Sequence, residues 1–169
     1  MNPEPIATSH LQPNQIGETD FEKRRGISHV EVRSGLTQVH VSQLSSPVSE
    51  TRLKVLEDVA KAGISFDFLK LTPSGLSFIV PADKTDLIKT TLSNGGHAHD
   101  LATNRGIVSV HAVNMRDEEG MIAGILRRVI GAGIVIDHVT DMHDRILVVT
   151  EESSAQKFKA LLEQEIVNV

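Results

Sequence analysis

The chain has 169 residues, with 17 Lys and Arg against 22 Asp and Glu, a formal net charge of −5 and no cysteine. That balance excludes the concentrated basic face of a nucleic-acid binder, and the missing thiols exclude disulfides, thiolate metal centres and cysteine nucleophiles. Apolar residues at 40% and charged residues at 23% suit a chain that buries a core as one domain or two small ones, while five Phe without Trp or Tyr leave few platforms for stacking bases or sugars.

Residues 1–25 carry Pro3, Pro5 and Pro13 among polar residues, end on Glu22-Lys23-Arg24-Arg25 and show no apolar period, so a mobile tail is expected there. The tail has no apolar signal core. The longest apolar stretch, 121–136, is interrupted by Arg127 and Arg128 and is shorter than the roughly 20 residues of a bilayer crossing. The expectation is a cytoplasmic protein with no membrane partner.

From Gly26 onward the pattern tightens. Residues 27–33 alternate as a strand, and 36–44 are rich in β-formers. In 51–62 the apolar positions Leu53, Val55, Leu56, Val59 and Ala62 fall at helical spacing, with Gly63 placed to cap the end. Strands are expected at 64–71 and 76–80 around the turn Pro73-Ser74-Gly75, then a helix at 84–93 closed by Asn94-Gly95-Gly96, and a strand at 97–104. The second half reads alike: strand 107–115, helix 121–132 with Gly133, strands 134–141 and 145–150 around His143-Asp144, and helix 154–166 with Ser153 as N-cap.

The likeness is a duplication. Gly35-Leu36-Thr37-Gln38-Val39-His40 matches Gly106-Ile107-Val108-Ser109-Val110-His111 at an offset of 71. Ala62-Gly63-Ile64-Ser65-Phe66-Asp67 matches Ala132-Gly133-Ile134-Val135-Ile136-Asp137 at an offset of 70. The order βαββα with a further strand defines an α+β fold of two ferredoxin-like βαββαβ sandwiches, each an antiparallel sheet with helices on one face. After its second helix the first copy has a segment long enough for a closing strand, and the second copy has only Val167-Asn168-Val169. An open edge there would be a pairing liability, so 97–103 is expected to complete the first sheet and 27–33 the second. The domains are then 36–104, and 26–34 with 105–169, the first inserted into the second. The rival arrangement is a hairpin of 27–33 on 36–44 through Arg33-Ser34-Gly35.

A duplicated βαββαβ unit with these Ala-Gly-Ile segments resembles the ACT domain. Asn114-Met115-Arg116 leading to Glu119-Gly120 is similar to that family's Gly-Met-Arg turn, and the tandem order resembles the C-terminal regulatory region of aspartate kinases over about residues 26–169. Nothing in the 169 residues is similar to the kinase family's Lys-Phe-Gly-Gly start, and 25 polar residues cannot hold a nucleotide fold. The resemblance implies a regulatory subunit or fragment with no activity of its own and no cofactor. It implies an effector amino acid, lysine or threonine, a homodimer, and a kinase catalytic subunit as partner.

In ACT modules the effector lies where the loop between first strand and first helix of one unit meets the second strand of a neighbour. A helix N-terminus suits its carboxylate, and an acidic side chain its ammonium. Carried onto this chain, the loop supplies Ser45, Ser46, Val48 and Ser49, the strand supplies Ser65 and Phe66, and Asp67 is the ammonium partner. The second-repeat equivalents are Arg116, Asp117, Gly120 and Asp137. The sequence departs from the family at Glu50, a carboxylate where a helix-start glycine is usual, and at Leu71-Thr72-Pro73, where polar residues are usual. These departures favour a second function class, an assembly module that keeps the fold without the ligand.

A third class, a small metal hydrolase, rests on His97 and His99, whose spacing sets both rings on one side of a strand. No further ligand follows at a defined spacing, and an exposed turn is the plainer reading. His138, Asp141, His143 and Asp144 read as a solvated hairpin, His40 and His111 as a half-exposed sheet face, and Arg127-Arg128 as the wet stripe of an amphipathic helix.

Overall fold

The structure is a computed structural model that describes residues 26–113, 115, 119–142, 144–164 and 166. The expected tail at 1–25 and the second-repeat residues Arg116 and Asp117 lie outside the described residues, as do Asn114, His143 and the C-terminal 167–169. The elements are β1 (Gly26–Val41), α1 (Val48–Lys61), β2 (Asp67–Thr72), β3 (Gly75–Pro81), a 3-10 turn at Ala82–Lys84, α2 (Thr85–Asn94), β4 (His99–Val113), α3 (Met121–Gly131), β5 (Ile136–Asp141), β6 (Arg145–Glu151) and α4 (Glu152–Glu163).

The six strands form one antiparallel sheet in the order β2-β3-β1-β4-β6-β5. Its frame is the pair of long strands. The first half of β1 pairs with the second half of β4, Gly26 opposite Val113 through Arg33 opposite Ile107. The second half of β1 lies between the start of β4, with Val41 opposite His99, and β3, with Val41 opposite Leu76. Between Arg33 and Leu36 the register shifts, and Gly35 takes φ +72°, a conformation that costs a residue without Cβ little. Arg33-Ser34-Gly35 is therefore a bulge inside one strand. The rival hairpin of 27–33 on 36–44 does not form, because both segments find their partner on β4. Nor are there two detached sheets, since β1 and β4 run unbroken through both halves.

Alternation along the strands divides the apolar residues between two faces. Under the helices, Val39, Val41, Phe78, Val80, Val55, Val59, Ile88 and Leu92 form one buried cluster, and Val30, Val108, Val110, Ile146, Val148, Ile125, Val129, Phe158 and Leu162 form another. On the opposite face Leu36, Ile79, Ile107 and Val149 form a third cluster, with Phe68 and Leu147 packed against it. A sheet whose helix-free side carries its own core must fold toward that side. The outcome is visible in the hydrogen bond between Gln38 of β1 and His138 of β5, 2.8 Å between Nε2 atoms. In a flat sheet three strand spacings would separate those strands by about 14 Å.

Several element ends differ from the sequence reading, and the strands expected at 97–104 and 107–115 are the single strand β4. Helix α1 starts at Val48, three residues before the expected Thr51, with Pro47 before it and no side-chain cap. Strands β2 and β5 start at Asp67 and Ile136, because Ile64 and Ile134 are consumed in closing the preceding helices, their N–H groups donating to the carbonyls of Val59 and Val129. Ser153 is not an N-cap: β6 runs directly into α4, Glu151 takes the cap position and Ser153 lies inside the first turn.

Candidate functional site

The loop from β1 to α1 is held from both sides. The Leu44 N–H donates to the Ser74 carbonyl at 3.3 Å, and the Thr51 hydroxyl donates to the Ser45 carbonyl at 3.0 Å. Ser45, Ser46 and Ser49 are exposed, Val48 is half-buried, and no side chain caps the first turn of α1. The first turn thus lacks a side-chain acceptor for its N–H groups, an arrangement that can receive a carboxylate, although Glu50 lies in the same turn. A polar cavity of about 200 Å³ opens beside the loop, walled by Ser42, Ser45, Thr51, Lys54 and His97.

The strand half of the expected site lies elsewhere. Ser65 is exposed just before β2, and Phe66 packs on Phe78 with ring centroids 5.0 Å apart. Asp67 opens β2 opposite Ile79 and meets the Arg33 guanidinium at 2.5 Å. It is the far end of β2 that touches the loop, where Arg52 donates to the Thr72 carbonyl. Five residues of strand, about 17 Å, separate Asp67 from that contact. One chain therefore presents Ser45, Ser46, Val48 and Ser49 at one end of β2, and Ser65, Phe66 and Asp67 at the other.

The second half repeats the pairing. Asp137 in β5 meets Arg105 of β4 at 2.8 Å, each side chain 23% exposed. Gly120 precedes α3 at φ +79° and accepts a hydrogen bond from the Gly124 N–H at 2.7 Å. Sequence reasoning missed both arginines. Their signal was available: each stands one or two residues before the glycine that opens a repeat, Gly35 or Gly106, so the duplication carries an Asp and an Arg together.

The histidines separate into unrelated roles. His97 is buried and its Nε2 lies 2.9 Å from Asp58 Oδ2, tying the end of α2 to α1. That hydrogen bond holds the Asp58 carboxyl below its usual range. His99 instead engages the His97 carbonyl through Nδ1 at 2.8 Å, so the two rings do not share one focus. Among the described residues no group of three or more His, Asp or Glu is arranged to hold a metal ion. His40 pairs with the Ser77 hydroxyl at 2.7 Å, and His111 lies beside His29 and Glu31. Asp144 is bound by Arg145 at 2.9 and 3.0 Å, which lowers its carboxyl pKa. Among the described residues no helix is long and apolar enough to cross a membrane.

The folding of the sheet creates a second feature, a cleft of about 1040 Å³ lined by residues of every strand but β3, with Lys159 of α4 at its border. Phe68 sits in its wall at φ +60°, within the bulge where the β2–β3 register shifts. A bulky side chain rarely adopts that conformation.

Comparison with solved structures shows that this fold is shared with the regulatory parts of aspartate kinase. The chain superposes on a chain of the aspartokinase α and β subunits with a TM-score of 0.73 at 20% identity, covering 82% of this chain and 97% of that one. On the ligand-free regulatory subunit of aspartate kinase from Thermus thermophilus the TM-score is 0.70 at 19% identity, with the same coverage. Among curated proteins, aspartokinase 1 of Bacillus subtilis is 27% identical over 153 residues, which span 88% of this chain and 36% of that protein. The chain thus covers about a third of that relative's length, and it resembles the regulatory region of aspartate kinase, as its motifs implied. No family model matches the chain.

Proposed function

We propose that the chain is a regulatory module that binds an effector amino acid, lysine or threonine, and passes its occupancy to an aspartate kinase catalytic partner, with no catalytic activity alone. The observation that carries this reading is the uncapped first turn of α1 beside the Ser45–Ser49 loop, in a fold shared with aspartate kinase regulatory subunits. The two halves are read as two ACT units, 36–104, and 26–34 with 105–169, that exchange strands; the separate buried clusters of the two halves support this.

A homodimer completes the site. Strand β2 is an outer strand of the sheet, and Leu69 and Leu71 on it are 43% and 55% exposed. Two copies pairing β2 on β2 in antiparallel fashion would bring the Asp67 end of one strand beside the Thr72 end of the other, and so beside the other chain's loop. Asp67 would then exchange Arg33 for the effector ammonium. Such a site forms only in the assembly, so effector binding and dimerisation are linked.

The test is a thermal-shift screen of the chain against the twenty amino acids, with light scattering for molecular mass. The expected result is a rise in Tm with lysine or threonine that is lost in Asp67→Asn and accompanied by dimer mass. No shift at millimolar concentrations of any amino acid would overturn the sensor reading. An unliganded dimer in that case would leave the assembly module, which the Glu50 and Leu71 departures favour.

A further inference from the structure

Strands β2 and β5 occupy opposite ends of the strand order, and in a flat sheet five strand spacings would hold them about 24 Å apart. In the folded chain both line the cleft, and Lys70 of β2 comes close enough to act electrostatically on His138 of β5. The charged groups of this cleft are unevenly spread: Asp67 is held by Arg33, Lys159 by Glu163 at 3.5 Å, and Glu31 lies 3.0 Å from His29 and 3.9 Å from His111. The Lys70 side chain has no ion pair or hydrogen bond among the described residues, while its backbone pairs with Ser77. His138 engages Gln38 through Nε2, and its buried Nδ1 has no partner. Beside these two groups the wall is apolar, formed by Phe68, Leu147 and Ile107.

We propose that this cleft is a second ligand site, separate from the β1–α1 loop, for a small organic anion: a carboxylate, sulfonate or phosphate carried on an apolar body. The anionic end meets the ammonium of Lys70 and the imidazole of His138, and the apolar end covers Phe68 and Leu147. The size of the cleft, its apolar wall and its few convergent polar groups are those of a small-molecule site, and the strained backbone of Phe68 is the kind found at ligand clamps. Binding takes up a proton. In the free chain burial, then Lys70, hold His138 below its usual pKa; His40 acts in the same direction and Asp137 against it. An anion beside Lys70 removes that repulsion and favours imidazolium.

Anilinonaphthalene sulfonate, a sulfonate on an apolar body, serves as the probe in a fluorescence titration of the full chain. The expected result is saturable uptake of one dye per chain, tightening as pH is lowered from about 8 to about 6. Lys70→Gln and His138→Gln should each weaken it about fivefold or more, the scale of one charge-assisted contact, while Lys89→Gln on α2 leaves it unchanged. Non-saturating uptake, or equal affinity in all four proteins, would overturn the proposal. Uptake that disappears as chain concentration rises would assign the cleft to a second copy of the chain and overturn it as well. Lys70→Gln and His138→Gln should leave the thermal-shift response to amino acids intact, so failure of this proposal is distinguishable from failure of the effector reading.

Discussion

Arg105 and Asp137 stand 2.8 Å apart, and the other repeat holds the corresponding pair Arg33 and Asp67 at 2.5 Å. Each pair spans two strand spacings on the helix-free face and joins the aspartate after an Ala-Gly-Ile segment to an arginine of a long strand. The two differ in exposure, 23% for both side chains of the first against 55% and 53% for the second.

That difference predicts unequal energies. Breaking Arg33–Asp67 should cost no more than about 1 kcal/mol, because water and salt screen an exposed pair. Breaking Arg105–Asp137 should cost about 2–3 kcal/mol, since either partner alone would be left partly desolvated. Double-mutant cycles by urea denaturation measure both couplings, and equal values would contradict the exposure argument.

Gly95 predicts a steric coupling. A Cβ there would lie 2.6 Å from the His97 ring and 2.8 Å from Asp58 Oδ2. Gly95→Ala should destabilise by about 1–2 kcal/mol because the buried ring cannot swing away. The cost should largely vanish in a His97→Ala background, which removes the obstructing ring.

Stability should change with pH in two windows. His138 has a folded pKa below its unfolded value, so its contribution is complete above about pH 6.5 and is lost as pH falls through the folded pKa. Asp58 is also lowered, so its contribution is complete above about pH 4 and is lost at still lower pH. Urea midpoints across pH should show both declines. His138→Gln should remove the upper one alone.

Core and surface apolar residues predict opposite responses to truncation. Phe158 on α4 is fully buried, and Phe158→Ala should cost about 3–5 kcal/mol. Ile130 on α3 is 61% exposed, and Ile130→Ala should change stability by less than about 0.5 kcal/mol. A comparable loss at Ile130 would show that this side chain is covered in solution.

Most of the elements were legible in the sequence because they follow local rules. Val55 and Val59 fall one helical turn apart, Gly63 stands where the chain leaves α1, and Val39 and Val41 alternate with Gln38 and His40. The duplication was legible too, since matched segments such as 62–67 and 132–137 need no structure to align. Of the candidate site, Asp67 and Asp137 could be found in this way, and the repeat also marks Arg33 and Arg105 before Gly35 and Gly106, but that each arginine pairs with its aspartate could not be read, because ion pairing between strands depends on register. The ends of β2, β5 and α4 were misplaced where a backbone hydrogen bond or a direct strand-to-helix junction overrides propensity.

The sequence by itself determined two βαββα units, the residues that face each core and the aspartates that mark each repeat, because side-chain period and turn chemistry are properties of neighbours along the chain. Only the tertiary structure decided that Arg33-Ser34-Gly35 is a bulge, that six strands share one sheet, and that the sheet folds until Gln38 reaches His138. Those outcomes depend on which apolar surfaces meet across strands far apart in sequence. The cluster of Leu36, Ile79, Ile107 and Val149 is where they do so.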